Sequence, residues 1–490
     1  MWYSPWMLDI LTLPTRPTPM SDERIAWPSR AAVRRAIGLC VATAAVAWGA
    51  LVPAHAVPPA MQDAVAVFAF ALVLWLTDAL PYVVTSVLTL VLLVQTGVAP
   101  TFRVAATGFS SSLVFFLLLV FLLGAAVAAV QLDEWVASRI VAREGTAHPF
   151  RAFVLHLFAL AFVMPSAVAR AATFAPVIHE LADAHGFDRD GPFSTSAFLV
   201  LGHVNPIGSL ALMTGGGMAL VAAGVVRSAG YPLTWLDWAV LMVPPVLALY
   251  VVCAALASAL SGDPPTASET SLRGRDPAGG LTREQRIVVA VLSGAVCLWL
   301  AGSIVSLPAI VPAALAVAVL ACPGVGVLSS ASLSEVNWGI IFLVGTMFSL
   351  LDRLEATGAF GYAVGVLTTA VPFHALSQSA GIAVLLAFAI SVRIVFSTGS
   401  AALLVVLPVV LRVGESVGIA PVPLALASVL LVGATTVFPF NTTAVLVAMT
   451  GGPIDSLDVL QFGLATTVSA VVVVSLSWLL YWPLALATIR

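Results

Sequence analysis

Long apolar runs separated by short polar connections fill almost the whole chain from about residue 36 onward. A helix needs about 20 apolar residues to cross the hydrocarbon core of a bilayer, and about eleven runs have that character. The pattern therefore predicts spanning helices at 36–56, 61–79, 82–98, 112–131, 193–227, 234–260, 286–305, 307–326, 338–352, 421–452 and 457–487.

Two further apolar stretches, 149–186 and 376–417, are interrupted in the middle by small and polar residues. An interruption at that place is typical of a re-entrant hairpin, which enters the membrane and turns back. We therefore expect an all-α polytopic membrane protein with about eleven transmembrane helices and two re-entrant hairpins.

The two hairpins belong to two copies of one pattern. Each contains an internal proline (Pro176 or Pro408), and each precedes an apolar run with a second polar island, at 202–209 or 435–443. A Thr-Gly-Gly and a Leu-Asp that opens the last helix follow each island. Five predicted spans separate equivalent points, so the copies have inverted topology. Inverted repeats with broken helices are typical of secondary transporters, whose substrates bind where the breaks meet.

The repeat divides the chain into a first half, 36–260, and a second half, 286–490. The N-terminal tail, 1–35, and the linker, 261–285, are rich in arginine, which marks cytoplasmic segments of membrane proteins. We expect the tail to be disordered and cytoplasmic, and the chain to lie in the cell's inner (plasma) membrane.

The composition supports a bilayer environment, because 61% of the residues are hydrophobic and only 9% are charged. Soluble domains carry roughly 25% charged residues. The net charge of −3 argues against nucleic acid as a partner. The sequence shows no catalytic Ser/His/Asp set, nucleotide-binding loop or metal-ligand cluster, so we expect neither an enzyme nor a cofactor, apart from sodium ions.

Several motifs resemble one family, the divalent anion:sodium symporters, which include the sodium:sulfate and dicarboxylate transporters. Trp75–Pro81 is similar to that family's Trp-x-Thr-Glu-Ala-Ile-Pro signature, and Gly108–Ser110 resembles its Gly-Phe-Ser. The resemblance covers about residues 60–487. It implies transport of a small anion, coupling to sodium, and a homodimer in the lipid bilayer.

The family's binding motif is Ser-Asn-Thr at each hairpin tip, and both tips of this chain lack the asparagine. The resemblance, together with the small and hydroxyl residues at the breaks, implies a substrate site formed by Ser166, Ala167, Val168, Arg170, Ser209, Arg393, Ser397, Thr398, Gly399, Ser400, Asn441 and Thr442. Four positions are also candidate sodium ligands: Ser166, Gly208, Thr398 and Asn441.

Two arginines strengthen the case for an anion. Arg170 lies one helical turn after the first tip and Arg393 one turn before the second. An arginine near the bilayer centre costs at least ~2.5 kcal/mol, which makes it a candidate functional residue. Guanidinium groups pair bidentately with carboxylate and sulfate, so we expect fixed positive charge beside the anion, partly replacing sodium. The alternatives are that each side chain snorkels toward the membrane surface or pairs with an acid such as Asp78 or Glu180.

The leading hypothesis is an elevator-type secondary transporter of a dicarboxylate or sulfate, coupled to sodium or protons, or acting as an anion exchanger. His203 is a candidate proton carrier because histidine titrates near neutral pH. Asp78 is expected to cap the following helix or to pair with an arginine. The alternatives are a relative of the arsenite permeases and sodium/proton antiporters, or a membrane receptor that does not transport.

Overall fold

The computed structural model of the protein describes residues 30–52, 57–136, 148–162, 164–262, 279–305, 307–371 and 373–489. Across these ranges the regular structure is helical and contains no strand. Most of the tail, 1–35, lies outside the described residues, and its end already belongs to the first helix. Most of the linker, 261–285, also lies outside them.

The first half contains the broken elements that the repeat predicts. Its α-helices are α1 (Arg30–Leu51), α2 (Pro59–Thr77), α3 (Tyr82–Gln95), α4 (Phe102–Ala105), α5 (Ser112–Ala129), α6 (Pro149–Leu160), α7 (Ala167–His185), α8 (Pro192–Leu199), α9 (Asn205–Gly208), α10 (Gly217–Ser228) and α11 (Trp235–Ser261). A 3₁₀ turn (Thr107–Ser110) precedes α5, and a π-helical turn (Val200–Val204) joins α8 to α9.

The second half repeats this order. Its α-helices are α12 (Arg283–Val305), α13 (Ile310–Ala321), α14 (Trp338–Ala356), α15 (Ala359–Ala370), α16 (Gln378–Val395), α17 (Gly399–Ser416), α18 (Pro421–Ala434), α19 (Thr443–Gly451), α20 (Ser456–Leu476) and α21 (Trp482–Thr488). Three 3₁₀ turns, Ser330–Glu335, Phe373–Ala375 and Pro439–Asn441, and a π-helical turn, Ser477–Tyr481, complete it.

The expectation of an all-α polytopic membrane protein is confirmed. Among the described residues, eight helical segments are long and apolar enough to cross a bilayer. Each of the predicted spans coincides with a helix or with a broken helix pair. Helix α15 was not predicted, because its 12 residues are too few for a span. It starts directly after Gly358, whose φ of 76° turns the chain at the end of α14.

The halves pack against each other reciprocally. Helix α3 of the first half contacts α14 of the second, and α13 of the second contacts α5 of the first. The second arm of each hairpin also contacts the opposite half, because α7 contacts α19 and α17 contacts α10. Such exchanged pairs are what a two-fold relation between two repeats produces. The last helices, α11 and α20, contact each other, and each opens with a capping box whose acid is Asp237 or Asp458, as the Leu-Asp pattern predicts.

Both predicted hairpins are pairs of helices with a break between them. In the first, α6 and α7 flank a break that ends at Ser166, and in the second, α16 and α17 flank Phe396–Thr398. The break gives each second arm its own N-terminus inside apolar sequence, where only a cavity or other protein can satisfy the free amides.

One break lies later in the chain than predicted. The island at 202–209 is helical through Gly208, and the chain breaks at 209–216 instead. The π-helical turn is the physical reason. It accommodates Pro206, which has no amide hydrogen to donate, and the side chain of Asn205 donates to the freed carbonyl of Leu201. Thr-Gly-Gly therefore precedes α10 in the first half but ends α19 in the second.

Candidate functional site

Four helix N-termini converge on one partly open cavity of about 440 Å³. They belong to α7, α10, α17 and α19, the four helices that start directly after a break. The cavity is lined by the first residues of each helix and by the residues just before them: Ser166, Ala167, Val168, Ala169, Gly216, Gly217, Met218, Ser397, Thr398, Gly399, Ser400, Thr442 and Thr443.

The two hairpin tips are built alike. Ser166 caps α7 by accepting a hydrogen bond from the amide of Ala169, and Thr398 caps α17 by accepting one from Ala401. Each hydroxyl hydrogen remains available to donate into the cavity. The amides of the first turn also lack partners within the helix, and they carry the positive end of the helix dipole. Such a terminus is suited to an anion.

The second pieces of the broken helices supply the other two N-termini. Thr442 caps α19 through the amide of Ala444. Helix α10 follows Gly216, which provides no side-chain cap, so its first amides stay free. A Cβ on Gly216 would come within 3.0 Å of the Ser209 side chain, so glycine allows the close approach of these two chain segments.

Arg170 lies behind the cavity wall, fully buried. Its Nε donates to Oδ1 of Asn205 at 2.7 Å, and its two Nη atoms donate to the Asn205 and Met164 carbonyl oxygens and to Oγ of Ser209 at 2.5 Å. Met164 and Ser209 both line the cavity. The guanidinium is thus separated from the cavity by residues to which it is hydrogen-bonded.

Arg393 has the corresponding surroundings in the second half. It is 2% exposed, and it donates to the carbonyl oxygens of Val432, Phe396 and Asn441 at 2.9, 2.8 and 2.8 Å. The amide of Asn441 donates back to the Phe396 carbonyl at 2.9 Å. Each hairpin is therefore joined to the broken helix of its own half by one arginine and one asparagine.

Neither buried guanidinium forms an ion pair within the described part of the chain. The pairing with Asp78 or Glu180 that we considered is absent, since Asp78 instead lies 3.9 Å from Arg34. Asp78 also does not cap α3, because that helix has no side-chain cap. Asp78 instead ends α2, in the left-handed conformation at a φ of 46°. Among the described residues, the hydrogen-bond partners of both guanidinium groups are neutral oxygens.

Most of the predicted substrate residues line the cavity: Ser166, Ala167, Val168, Ser209, Ser397, Thr398, Gly399, Ser400 and Thr442. The other predicted site residues lie behind the cavity wall: Arg170, Arg393, Gly208 and Asn441. For the arginines and Asn441 the reason is that their polar atoms are engaged with the broken backbone. Gly208 packs against the Tyr250 and Phe158 rings instead.

Sequence reasoning missed several residues at the site. Tyr82, the first residue of α3, lies with its hydroxyl 3.2 Å from Oγ of Ser397. Glu335 and Asn337, just before α14, line the cavity, so one carboxylate stands at its edge. Asn205 lies in the first island but was not recognised as the partner of Arg170. Only the position of Tyr82 directly after the Trp75–Pro81 signature could have drawn attention to it.

His203 lies in the π-helical turn, 2% exposed, with its ring edge-on to Phe462 at 5.1 Å between centroids. In the described structure its ring nitrogens form no well-aligned hydrogen bond, although backbone groups of Leu199, Thr436 and Val459 lie close to the ring. The histidine does not line the cavity. Its placement therefore gives it no direct path to a ligand at the hairpin tips.

The fold defines a multi-pass helical membrane protein with inverted repeats and a cavity where its broken helices meet. The family model described as the sodium:sulfate symporter transmembrane region matches residues 34–488. A membrane protein of Cupriavidus necator is 23% identical over 363 residues, which cover 69% of this chain and 71% of that protein. The chain belongs to the sodium:sulfate symporter family.

Proposed function

We propose that the protein is a secondary transporter that carries a small divalent anion, sulfate or a dicarboxylate, in the cavity between the two hairpin tips. The observation that carries the proposal is the convergence of four helix N-termini on one cavity. Their free amides and the hydroxyls of Ser166, Thr398 and Ser400 form a donor-rich surface, and it suits an anion rather than a cation.

The buried arginines add long-range attraction. An anion roughly 8 Å from one such charge gains about 2 kcal/mol at an effective dielectric constant of about 20. Arg170 and Arg393 have no carboxylate partner among the described residues, so no internal acid cancels this field. The carboxylate of Glu335 at the cavity edge opposes it, and that side chain is exposed to water, which screens its charge.

An elevator mechanism has support from the packing. The hairpins and broken helices interlock through the α7–α19 and α10–α17 contacts, while α3, α5, α13 and α14 form a second set of contacts through the α3–α14 and α5–α13 pairs. The two groups meet where α10 contacts α5 and α17 contacts α14. These two groups would be the moving and the stationary bodies of an elevator. The hydrogen bond between the hydroxyls of Tyr82 of α3 and Ser397 of the second tip also joins the two groups and would break during the movement.

The test is uptake of radiolabelled sulfate and succinate by proteoliposomes that contain the purified protein, with citrate and chloride as competitors. Saturable uptake that excess sulfate or dicarboxylate suppresses is expected. If no anion enters under any ion gradient, the transport proposal is wrong and a receptor function gains support.

We also propose, from the family resemblance, a homodimer in the plasma membrane with a cytoplasmic N-terminus.

A further inference from the structure

We propose that Arg170 and Arg393 are tethered cations that occupy the two oxygen cages where a coupling cation would otherwise bind, so that the protein carries its anion without sodium. The inference rests on the proposed function. It concerns how the charge of the anion is balanced, and not whether the anion is carried.

The surroundings of Arg170 have the chemistry of a hard-cation site. Sodium-like cations are bound by carbonyl and amide oxygens that a chain break has freed. At the first hairpin, four such oxygens converge: the carbonyls of Met164 and Asn205, Oδ1 of Asn205 and Oγ of Ser209. All four accept hydrogen bonds from one guanidinium.

A second cage exists in the other half. The carbonyl oxygens of Phe396, Val432 and Asn441 converge on Arg393 at 2.8–2.9 Å. Phe396 is at the hairpin break and Asn441 is in the partner break, so this cage also joins two broken segments. The two halves therefore contain similar arrangements of oxygens around a buried guanidinium.

The two arginines reach equivalent places from different arms of their hairpins. Arg170 is on the second arm of its hairpin, after the break, and Arg393 is on the first arm, before it. Each guanidinium nevertheless donates hydrogen bonds to two corresponding backbone oxygens. One is a carbonyl oxygen at or just before its own hairpin tip, and the other is the carbonyl oxygen of an asparagine, Asn205 or Asn441. A shared position in the repeat does not explain this, whereas a shared need for a cation at each break does.

The sodium that the family name implies does not fit these cages. Their oxygens are already engaged with a guanidinium, and a second cation there would stand within a few ångströms of a like charge in a low-dielectric interior. The tips also lack the asparagine side chains of the family motif. The two asparagines beside the breaks direct their amide nitrogens at backbone carbonyls, those of Ala167 and Phe396, and neither lines the cavity.

The first experiment compares sulfate uptake by proteoliposomes in an inward sodium gradient with uptake in an N-methylglucamine gradient of equal ionic strength. We expect rates equal to within about twofold, since equal ionic strength leaves general screening unchanged. Stimulation by sodium of about tenfold or more would overturn the inference and leave the proposed function standing. Absence of uptake in both would contradict the proposed function.

A second measurement does not depend on transport. A ligand that binds the folded state raises the unfolding temperature. We expect sodium chloride and choline chloride to give the same unfolding temperature for the purified wild-type protein. A sodium-specific rise would overturn the inference even if no uptake were seen.

Variants separate charge from folding. Arg170→Gln empties the cage and should lower sulfate uptake by about tenfold or more, whereas Arg170→Lys, which keeps the charge, should retain more of it. Arg189→Gln is the matched control, because Arg189 is an exposed arginine that pairs with Asp183. A folded Arg170→Gln protein with wild-type, sodium-independent uptake would show that no tethered cation is needed.

Discussion

Nε of Arg170 donates a 2.7 Å hydrogen bond to Oδ1 of Asn205, and the amide of Asn205 donates a 2.8 Å hydrogen bond to the carbonyl of Ala167 at the hairpin tip. One asparagine thus holds both the buried charge and the backbone that faces the cavity. The helix break, the charge and the binding surface are therefore coupled through two side chains.

Substitutions of Asn205 should separate structure from charge. Asn205→Ala leaves a buried guanidinium nitrogen without its acceptor, which should lower the free energy of unfolding by about 1–3 kcal/mol. Asn205→Asp should also lose stability, because it loses the amide donor, but it places a carboxylate beside Arg170. Calorimetric titration should then show sulfate affinity about tenfold weaker in Asn205→Asp than in Asn205→Ala, through loss of the net charge. Equal affinities would mean that the field of Arg170 does not reach the anion.

Gly463 of α20 should be intolerant of a side chain. A Cβ there would lie 2.0 Å from the carbonyl oxygen of Thr436 in the second break. Gly463→Ala should therefore destabilise the protein by about 1–3 kcal/mol or more through overpacking. Gly294→Ala is the control, because Gly294 is an exposed glycine in α12 with nothing within 4 Å of its Cβ position. Thermal unfolding that shows equal effects would contradict the packing of the second break.

His203 should be dispensable for transport. Its buried ring nitrogens meet only poorly aligned backbone groups of Leu199, Thr436 and Val459 in the described structure, so their desolvation is incompletely compensated, a cost that an apolar side chain would not incur. His203→Leu should keep or raise the unfolding temperature and leave the pH profile of sulfate uptake unchanged. Loss of the pH dependence with intact folding would instead identify His203 as a proton carrier.

Tyr82→Phe should alter the rate of transport rather than its specificity. The substitution removes the hydrogen bond to Ser397, worth about 0.5–1.5 kcal/mol, from one conformation only. Maximal uptake should change by up to about tenfold, while the ratio of sulfate to succinate uptake stays constant. A changed ratio would mean that Tyr82 contacts the substrate instead of linking α3 to the hairpin.

The sequence predicted the large features of the fold because those features have periodic or composition signals. Apolar runs located the spans, and the small residues around Ser166 and Ser397 located the hairpin breaks. The short helix α15 gave no such signal, since its 12 residues are fewer than a membrane span needs. The exact break near Ser209 also escaped, because a π-helical turn absorbs Pro206 without ending the helix.

The sequence predicted those parts of the site that the chain breaks determine. It did not predict the parts that tertiary packing determines. Cavity-lining residues such as Thr398 and Thr442 are the N-caps of helices, and the breaks are visible in the sequence. The sequence places Arg170 near the tip, but it does not show that its donors turn to backbone carbonyls rather than to a ligand. Contacts between residues hundreds of positions apart, such as Tyr82 with Ser397, leave no local pattern.

The central claim, that an anion binds where the four helix N-termini meet, is tested most directly by placing a tethered carboxylate there. Ser400 is the second residue of α17, 7% exposed, and lines the cavity. Ser379 is the second residue of α16 and is exposed outside the cavity, so Ser379→Asp is a control matched in helix position and charge.

The measurement is the equilibrium dissociation constant of radiolabelled sulfate for the purified Ser400→Asp and Ser379→Asp proteins. We expect Ser400→Asp to weaken sulfate binding by about tenfold or more, through repulsion and competition for the same amides, while Ser379→Asp binds sulfate as the wild type does. Undiminished sulfate binding by a folded Ser400→Asp protein would contradict the central claim.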